Sequence, residues 1–396
     1  MPGVLDGIRV LDFGRYIAGP WCAALLGDLG AEVIRVEKVD GGEDRFNYEI
    51  GDEPGSGSMF LQCNRNKKGV TLNPTKPEGR EIQEKLIATA DVVIANMPPR
   101  ALEQLGLDYE NLKAIKPDII LVTNTAFGTI GPYAKKVGFD SVAQAMSGNM
   151  IMSGSPGEPA KSFGPYVDYG TAGLCAFGTM AAIMHRNATG EGQVIDMALY
   201  ESIFRFLDEL VPAYAKEGTI RQREGMGTKL ACPHGHFQTG DDKWVSIACT
   251  SDKMFERLTR VMGKPELAGS DMYETTAQRI ANRETVDGLV TDFTRSYTQT
   301  EVLQKCNDGE VPCGAINSVA DIFEDPQFEA RDNLLRFNDP DAGEIVVPGV
   351  IPKLSKTPGR VKHVGPPLGD GIEGIYGDLL GMSAAEIAAL KEKGVI

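Results

Sequence analysis

IRVLDFGRYIAGPWCAALLGDLGAEVIRVEK, residues 8–38, is the stretch on which the fold turns. Residues 8–13 form a β-branched run and the loop GRYIAG follows. Pro20 then stands at the first helical position, where a missing N–H costs nothing. The helix WCAALLGDLG closes on Gly30, and EVIRVEK is a second strand. A strand, a helix and a strand joined this tightly predict a right-handed crossover into a parallel sheet. The unit imitates a dinucleotide fold, with Glu37 ending the second strand where an acid would hold a ribose. Its first loop, FGRYIAGP, carries no GxGxxG for a pyrophosphate, which argues against nicotinamide.

Outward from this unit the pattern repeats. ADVVIANM (90–97) and PDIILVTNTAFG (117–128) read as buried parallel strands, and Asn96 lies at the carboxyl end where open α/β sheets bind ligands. Between them and the first unit, DGGEDRFNYEIGDEPGSGS (40–58) is a candidate mobile loop. The charges of NRNKKG, Arg65, Lys67 and Lys68, read as a solvated turn or an anion-facing cluster. GPYAKKVGFDSVAQAMSG (131–148) leads into a helix.

In FGPYVDYGTAGLCAFGTMAAIMHRNATGEGQVIDMAL (163–199), Asp168 falls at or next to a helix N-terminus. The helix is almost uncharged from Tyr169 to His185, so burial on most sides is expected. Gly170, Gly173 and Gly178 would admit close neighbours. A closing strand, QVIDMAL, follows. Residue by residue, Asp168 is either an N-cap or a reactive carboxylate in a small-residue pocket.

Residues 200–216 look helical, and an irregular linker follows to His236. A second unit then opens on a hairpin across Gly240-Asp241-Asp242. Its helices are predicted at 252–263, 283–296 and 298–309, with a short extended piece at 311–318. The last helix starts at Ser383 and Glu386 in capping-box spacing.

The whole chain has 396 residues and a net charge of −15, so two domains are the prior and nucleic acid or an anionic membrane is a poor partner. MPGVLDGIRVLDF lacks the features of a signal peptide, and the run 173–184 is shorter than the roughly 20 residues a membrane span needs. A cytoplasmic location is expected. Seven cysteines, an odd number without CxxC, read as reduced thiols. Cys232, His234 and His236 alternate like zinc ligands but lack a fourth, so no metal is expected. His185 and His363 read as structural, and the absence of GxSxG excludes the serine-nucleophile elbow.

Residues 5–38, ANMPPRALEQLGLDYENLKAIKPDIILVTNTAFGTIGPY (95–133), GFDSVAQAMSG, VDYGTAG and TGEGQVIDMAL together resemble the class III CoA-transferase family. That family includes formyl-CoA transferases, carnitine CoA-transferases and α-methylacyl-CoA racemases. The likeness continues through VPCGAINSVADIFEDPQFEARD and MSAAEIAALKEKGVI, almost the full chain. It implies an α/β fold, with a Rossmann-like doubly wound large domain, an inserted smaller α+β domain and an interlocked homodimer. The implied boundaries are 1–205 for the N-terminal part of the large domain, 206–231 for a linker and 232–325 for the small domain. Residues 326–396 would then return to the large domain.

The same resemblance implies a CoA transferase with Asp168 as nucleophile. Its substrates would be an acyl-CoA thioester and a carboxylic acid, with no prosthetic group. The partner would be a second copy, or a homologous subunit in a heteromer. The CoA-binding residues it implies are Arg15, Tyr16, Ile17, Ala18, Lys38, Leu72, Asn96, Met97, Lys136, Phe139 and Asp140. Gln104 replaces an arginine common in the family, so Arg100 is expected to take over a phosphate contact.

Three departures narrow the chemistry. The racemases carry GHD where this chain has Gly138-Phe139-Asp140, and a phenyl ring cannot exchange a proton, so two-base racemisation loses a base. A non-catalytic subunit would tend to lack the aspartate that is present. Ile17 stands where formyl-CoA transferases have glutamine, which suggests a bulkier or more apolar acid than oxalate or formate, such as a substituted succinate. The expected cycle runs through an acyl-aspartyl anhydride and an aspartyl-CoA thioester. At an ordinary pKa of about 3.9 the carboxylate would need no base.

Overall fold

The computed structural model describes residues 3–52, 54–223, 225, 227–228 and 230–396. Glu53 of the predicted mobile loop, and Glu224, Met226 and Lys229 of the predicted linker, lie outside the described residues. The chain divides into two compact units, one of residues 1–149, 162–211 and 327–396, the other of residues 150–161 and 212–326.

The first unit is built on six strands, β1 (Arg9–Asp12), β2 (Glu32–Glu37), β3 (Lys67–Thr71), β4 (Val92–Ile94), β5 (Ile120–Thr125) and β6 (Val194–Ala198). They pair in the order β3-β2-β1-β4-β5-β6, and every pairing is parallel. Successive strand residues point to opposite faces. Leu11, Ile34, Val93 and Leu121 enter one core with the helix Pro77–Thr89. Val10, Val33, Ile94 and Val122 enter the other, with the helices Ala18–Asp28 and Tyr166–Thr189. Two apolar faces explain why the strands read as nearly unbroken apolar runs. The tail joins the first core through Tyr376, Val395 and Ile396, and the Tyr376 hydroxyl donates to the Thr71 carbonyl at 2.7 Å. β10 (Leu334–Asp339) and β11 (Gly343–Pro348) form an antiparallel pair in the same unit.

In the second unit β7 (His234–Gln238), β8 (Trp244–Ala248) and β9 (Cys313–Ala315) form an antiparallel sheet. Phe237, Val245 and Ile247 pack there with Leu258, Val290 and Val302 from the helices Asp252–Val261, Arg283–Arg295 and Gln299–Asp308.

Three expectations need correction. The charges of NRNKKG form neither a solvated turn nor an anion-facing cluster. Arg65 is buried against Asp28 and the Trp21 ring, Lys67 is buried against Asp12, and exposed Lys68 pairs with Glu32. The helix Tyr166–Thr189 is not buried on most sides in the single chain. Its Ala172, Cys175, Thr179 and Ala182 face inward, while Phe177 is 72% and Met184 73% exposed. Residues 200–216 are two helices, Leu199–Phe204 and Leu210–Glu217, interrupted near Asp208 at φ 51.

The sheet carries a fully buried ion cluster. The Lys67 ammonium donates to Asp12 Oδ2 at 2.7 Å, to the Pro20 carbonyl at 2.7 Å and to Asn64 Oδ1 at 2.8 Å. Arg35 lies 3.4 Å from Asp12 and 3.1 Å from Asp44. Burial alone would raise the Asp12 carboxyl, but Lys67 and Arg35 outweigh it and hold it below the ordinary value. Removing one partner from such a pair leaves a buried charge uncompensated, at about 3–5 kcal/mol. Lys67→Met is therefore expected to destabilise the protein by about that amount in denaturant unfolding. Adding Asp12→Asn is expected to restore part of the loss. A Lys67→Met protein as stable as the parent would contradict this.

Candidate active site

The strand order reverses between β1 and β4, and the crevice at their carboxyl ends is where a doubly wound sheet offers a ligand site. The loop after β1 is fixed there from both sides. Below it, Asp12 Oδ1 accepts the Gly14 amide at 2.8 Å, Arg35 donates to the Gly14 carbonyl, and Lys67 holds the Pro20 carbonyl. Across the crevice, Asn96 Oδ1 accepts the Arg15 amide at 2.6 Å and Asn96 Nδ2 donates to the Arg15 carbonyl at 2.8 Å. Gly19 packs against Asn96, and an added Cβ would lie 3.1 Å from its Cγ. So restrained, Tyr16 sits at φ 59, a left-handed conformation that costs a non-glycine residue about 1–3 kcal/mol.

A cavity of about 420 Å³ opens at this edge, and Arg15, Lys38, Leu72 and Met97 line it. At its rim Lys38 pairs with Glu43, and Arg15 comes within 4.0 Å of the same carboxylate. The pairing with Lys38 holds Glu43 below its ordinary pKa. Two cations sharing one acid could hold a phosphate, which would compete with Glu43 for both. Glu37 also lines the cavity, yet its carboxylate is occupied by Arg45 at 2.7 and 2.8 Å and by the Gly42 amide at 3.1 Å, so the ribose-acid likeness does not carry over.

The other named residues lie elsewhere. Asn96 is engaged with the Arg15 backbone. Ile17 and Ala18 are buried at the helix start, and Ala18 packs against Val167 and Ala143. Arg100 and Lys136 are exposed and do not line the cavity, Lys136 resting 3.6 Å over the Tyr133 ring. Phe139 is 61% exposed and meets Tyr16 edge to face at 6.0 Å. Local patterns missed Glu43 and the segment Asn73–Thr75, which also line the cavity. NPT, one residue beyond β3, was the available signal, since it follows the carboxyl end of a strand.

Asp168 lies in the first turn of the helix Tyr166–Thr189, half-buried. It is not an N-cap: that position belongs to Pro165, which makes no side-chain cap bond. The capping carboxylate comes from Asp140, whose Oδ2 accepts the amides of Val167 at 3.0 Å and Asp168 at 3.3 Å. Among the described residues the Asp168 carboxylate has no hydrogen-bond or ion-pair partner. Burial, and then the Asp140 charge, push it up to about 7. The carboxylate is thus not the fully ionised group that an ordinary aspartate would be at neutral pH. Further along the same helix, a Cβ added at Gly173 would meet nothing within 4 Å.

Cys232, far from this edge in sequence, lies with its Sγ 3.9 Å from Asp287 Oδ1. Among the described residues no three of His, Cys, Asp and Glu gather as metal ligands, and no helix is long and apolar enough to cross a membrane.

Residues 5–371 match the family described as CoA-transferase family III. The alpha subunit of succinyl-CoA–L-malate CoA-transferase from Chloroflexus aurantiacus is 42% identical over 395 residues, covering 99% of this chain and 92% of that one. The beta subunit of the same organism is also 42% identical, over 99% of this chain and 98% of its own. The succinyl-CoA:glutarate CoA-transferase of Mus musculus is 33% identical over 99% of this chain and 90% of its own. Among solved structures, a CAIB/BAIF family protein from Brucella suis superposes with a TM-score of 0.86 at 33% identity, over 96% of this chain and 100% of that one. The chain belongs to CoA-transferase family III and is a CoA-transferase.

Proposed function

We propose that this enzyme moves CoA from succinyl-CoA to a dicarboxylic acid, L-malate or a similarly substituted succinate, through covalent intermediates on Asp168. The observation that carries the reading is the half-buried Asp168 carboxylate, without a hydrogen-bond or ion-pair partner among the described residues, at the head of a helix lined with small residues. The donor and the acceptor class are supported by relatives named for succinyl-CoA and L-malate, D-citramalate or glutarate.

In the proposed cycle an Asp168 oxygen attacks the thioester carbonyl, the C–S bond breaks, and a mixed anhydride and CoA thiolate result. The thiolate attacks the Asp168 carbonyl of the anhydride, giving an aspartyl-CoA thioester and releasing succinate. The acceptor carboxylate then attacks that thioester, and the displaced thiolate takes the acceptor acyl group, returning Asp168 as carboxylate. Each step exchanges one acyl bond for another, and covalent catalysis divides one difficult transfer into easier ones. CoA is assigned to the cavity rimmed by Arg15 and Lys38, with Leu72 and Met97 as apolar lining. Phe139, which offers no proton to exchange, speaks against racemisation.

The proposal includes an interlocked dimer, either of two copies or of this chain with a homologous subunit, as the alpha and beta relatives suggest. Exposed Phe177 and Met184 on the Asp168 helix suit a covered face. Free thiols, six of the seven buried, suit a reducing cytoplasm. Light scattering on dilute protein should give twice the chain mass for two copies, or the summed subunit masses once the homologous subunit is added. A stable monomer would remove the interlocked arrangement.

Asp168→Asn is expected to abolish transfer from succinyl-CoA to L-malate, by on the order of 10³-fold or more, while CoA still raises the melting temperature. Hydroxylamine added to wild-type enzyme with succinyl-CoA should leave a hydroxamate on Asp168 and none on the variant. A fully active variant, or a hydroxamate elsewhere, would place the chemistry on another residue.

The pH dependence follows from the same carboxylate. Only ionised Asp168 attacks, so kcat/KM should rise with pH through an acidic limb near 7. Stability moves the other way. Between the unfolded value of 3.8 and the folded value of about 7, the folded chain keeps a proton that the unfolded chain has lost, so stability falls as pH rises across that window. Asp168→Asn escapes the loss, and its melting temperature should gain on the wild type from pH 4 to pH 8. A pH-independent difference would contradict the raised value.

A further inference from the structure

The first turn of an α-helix has free amides, and an acid at its third position ordinarily turns back onto them or rests against the positive helix end. Asp168 holds that position in the helix Tyr166–Thr189. Pro165 has no N–H, so the free amides are those of Tyr166, Val167 and Asp168, since the Tyr169 amide already donates to the Pro165 carbonyl at 3.3 Å. Asp140 takes two of them, at 3.0 and 3.3 Å on one oxygen. Its other oxygen accepts Gln144 Nε2 at 2.5 Å, and Gln144 Oε1 accepts the Ser162 amide at 3.0 Å. The buried Asp140 carboxylate is therefore fully committed, whereas that of Asp168 has no partner among the described residues.

We propose that Asp140 is the positioning residue of the nucleophile: by occupying the amides of Val167 and Asp168 it denies them to the Asp168 carboxylate, which stays free for the thioester. This rests on Asp168 being the nucleophile. Asp140 touches no reacting atom. It acts through the helix end, and its charge also sets how readily Asp168 ionises.

Several charged and titratable groups on the same and neighbouring elements have partners of their own. On the same helix, the Tyr166 hydroxyl donates to Asn149 at 2.6 Å, and the Tyr169 hydroxyl lies 3.7 Å from Cys63 Sγ of the helix Ser58–Cys63. Asp28 of the helix Ala18–Asp28 pairs with Arg65. Glu201 of the helix Leu199–Phe204 accepts the Ala198 amide at 3.1 Å. Asp196 of β6 accepts the Thr129 amide at 3.0 Å, and Arg186 pairs with Asp91 at 2.7 Å. Among the described residues the charge that joins burial in raising Asp168 is that of Asp140.

The test compares wild type, Asp140→Asn, Asp140→Ala and Asp168→Asn in pH profiles of kcat/KM with succinyl-CoA and L-malate, together with hydroxamate formation on Asp168. Asn keeps an acceptor for the two amides but not the charge, so Asp140→Asn should retain activity above the limb to within about tenfold. Its acidic limb should move down by about one pH unit. Ala frees the amides for Asp168, so Asp140→Ala should lose on the order of 10²-fold in kcat at all pH values. An unmoved limb in Asp140→Asn, or wild-type turnover in Asp140→Ala, overturns the proposal. If Asp140→Ala fails to fold by circular dichroism, the Asp140→Asn limb decides alone. A wild-type hydroxamate on Asp168 with an unmoved Asp140→Asn limb defeats the positioning role only. Absence of that hydroxamate defeats the nucleophile and, with it, this proposal.

Discussion

A carboxylate removed from water, Asp12 at the carboxyl end of β1, holds the ligand edge of this protein together. It stays ionised because Lys67 and Arg35 are buried with it, and the three groups fix both ends of the loop after β1, the Gly14 peptide and the Pro20 carbonyl. Such a cluster is weak evidence for extra stability, since its desolvation offsets much of its attraction. Its contribution is geometric. With both ends held, and Asn96 clamping Arg15 from β4, the loop supports Tyr16 in a backbone conformation that few tyrosines adopt.

This loop also joins the two parts of the candidate site. Arg15 lines the cavity, while Ala18 packs on Val167, the residue before Asp168. The proposed nucleophile and the cavity proposed for CoA thus share one support, in keeping with reactions that need two reactants aligned closely. A raised Asp168 also has a chemical sense: a desolvated carboxylate without donors is a stronger nucleophile once ionised, at the cost of fewer ionised molecules at neutral pH.

Much of the architecture was legible because it is local. The runs of β1, β2, β4 and β5 announce strands buried on both faces, Pro20 and Gly30 punctuate the first helix, and Ser383 with Glu386 marks the last. What sequence reasoning missed is long-range pairing. Lys67 looked like one of several turn charges, because nothing near it in the chain says that Asp12, 55 residues away, is its partner. Read residue by residue, an N-cap stayed open beside a reactive carboxylate at Asp168 for the same reason, since the carboxylate that caps the helix is Asp140, 27 residues before the Val167 amide it accepts. The exposed stripe of Phe177 and Met184 was hidden because a small, uncharged helix reads the same whether its second face meets its own chain or another.

Oxygen bookkeeping tests the central claim most directly. With succinyl-CoA and an acceptor dicarboxylate labelled with 18O in its carboxylates, the bridging oxygen of the acceptor anhydride should remain on the aspartate when CoA thiolate takes the acyl group. Mass spectrometry should then find 18O in the peptide that contains Asp168, and in succinate released by later turnovers. Label in succinate with none in Asp168 would mean that acceptor and donor exchange directly, and would contradict the account.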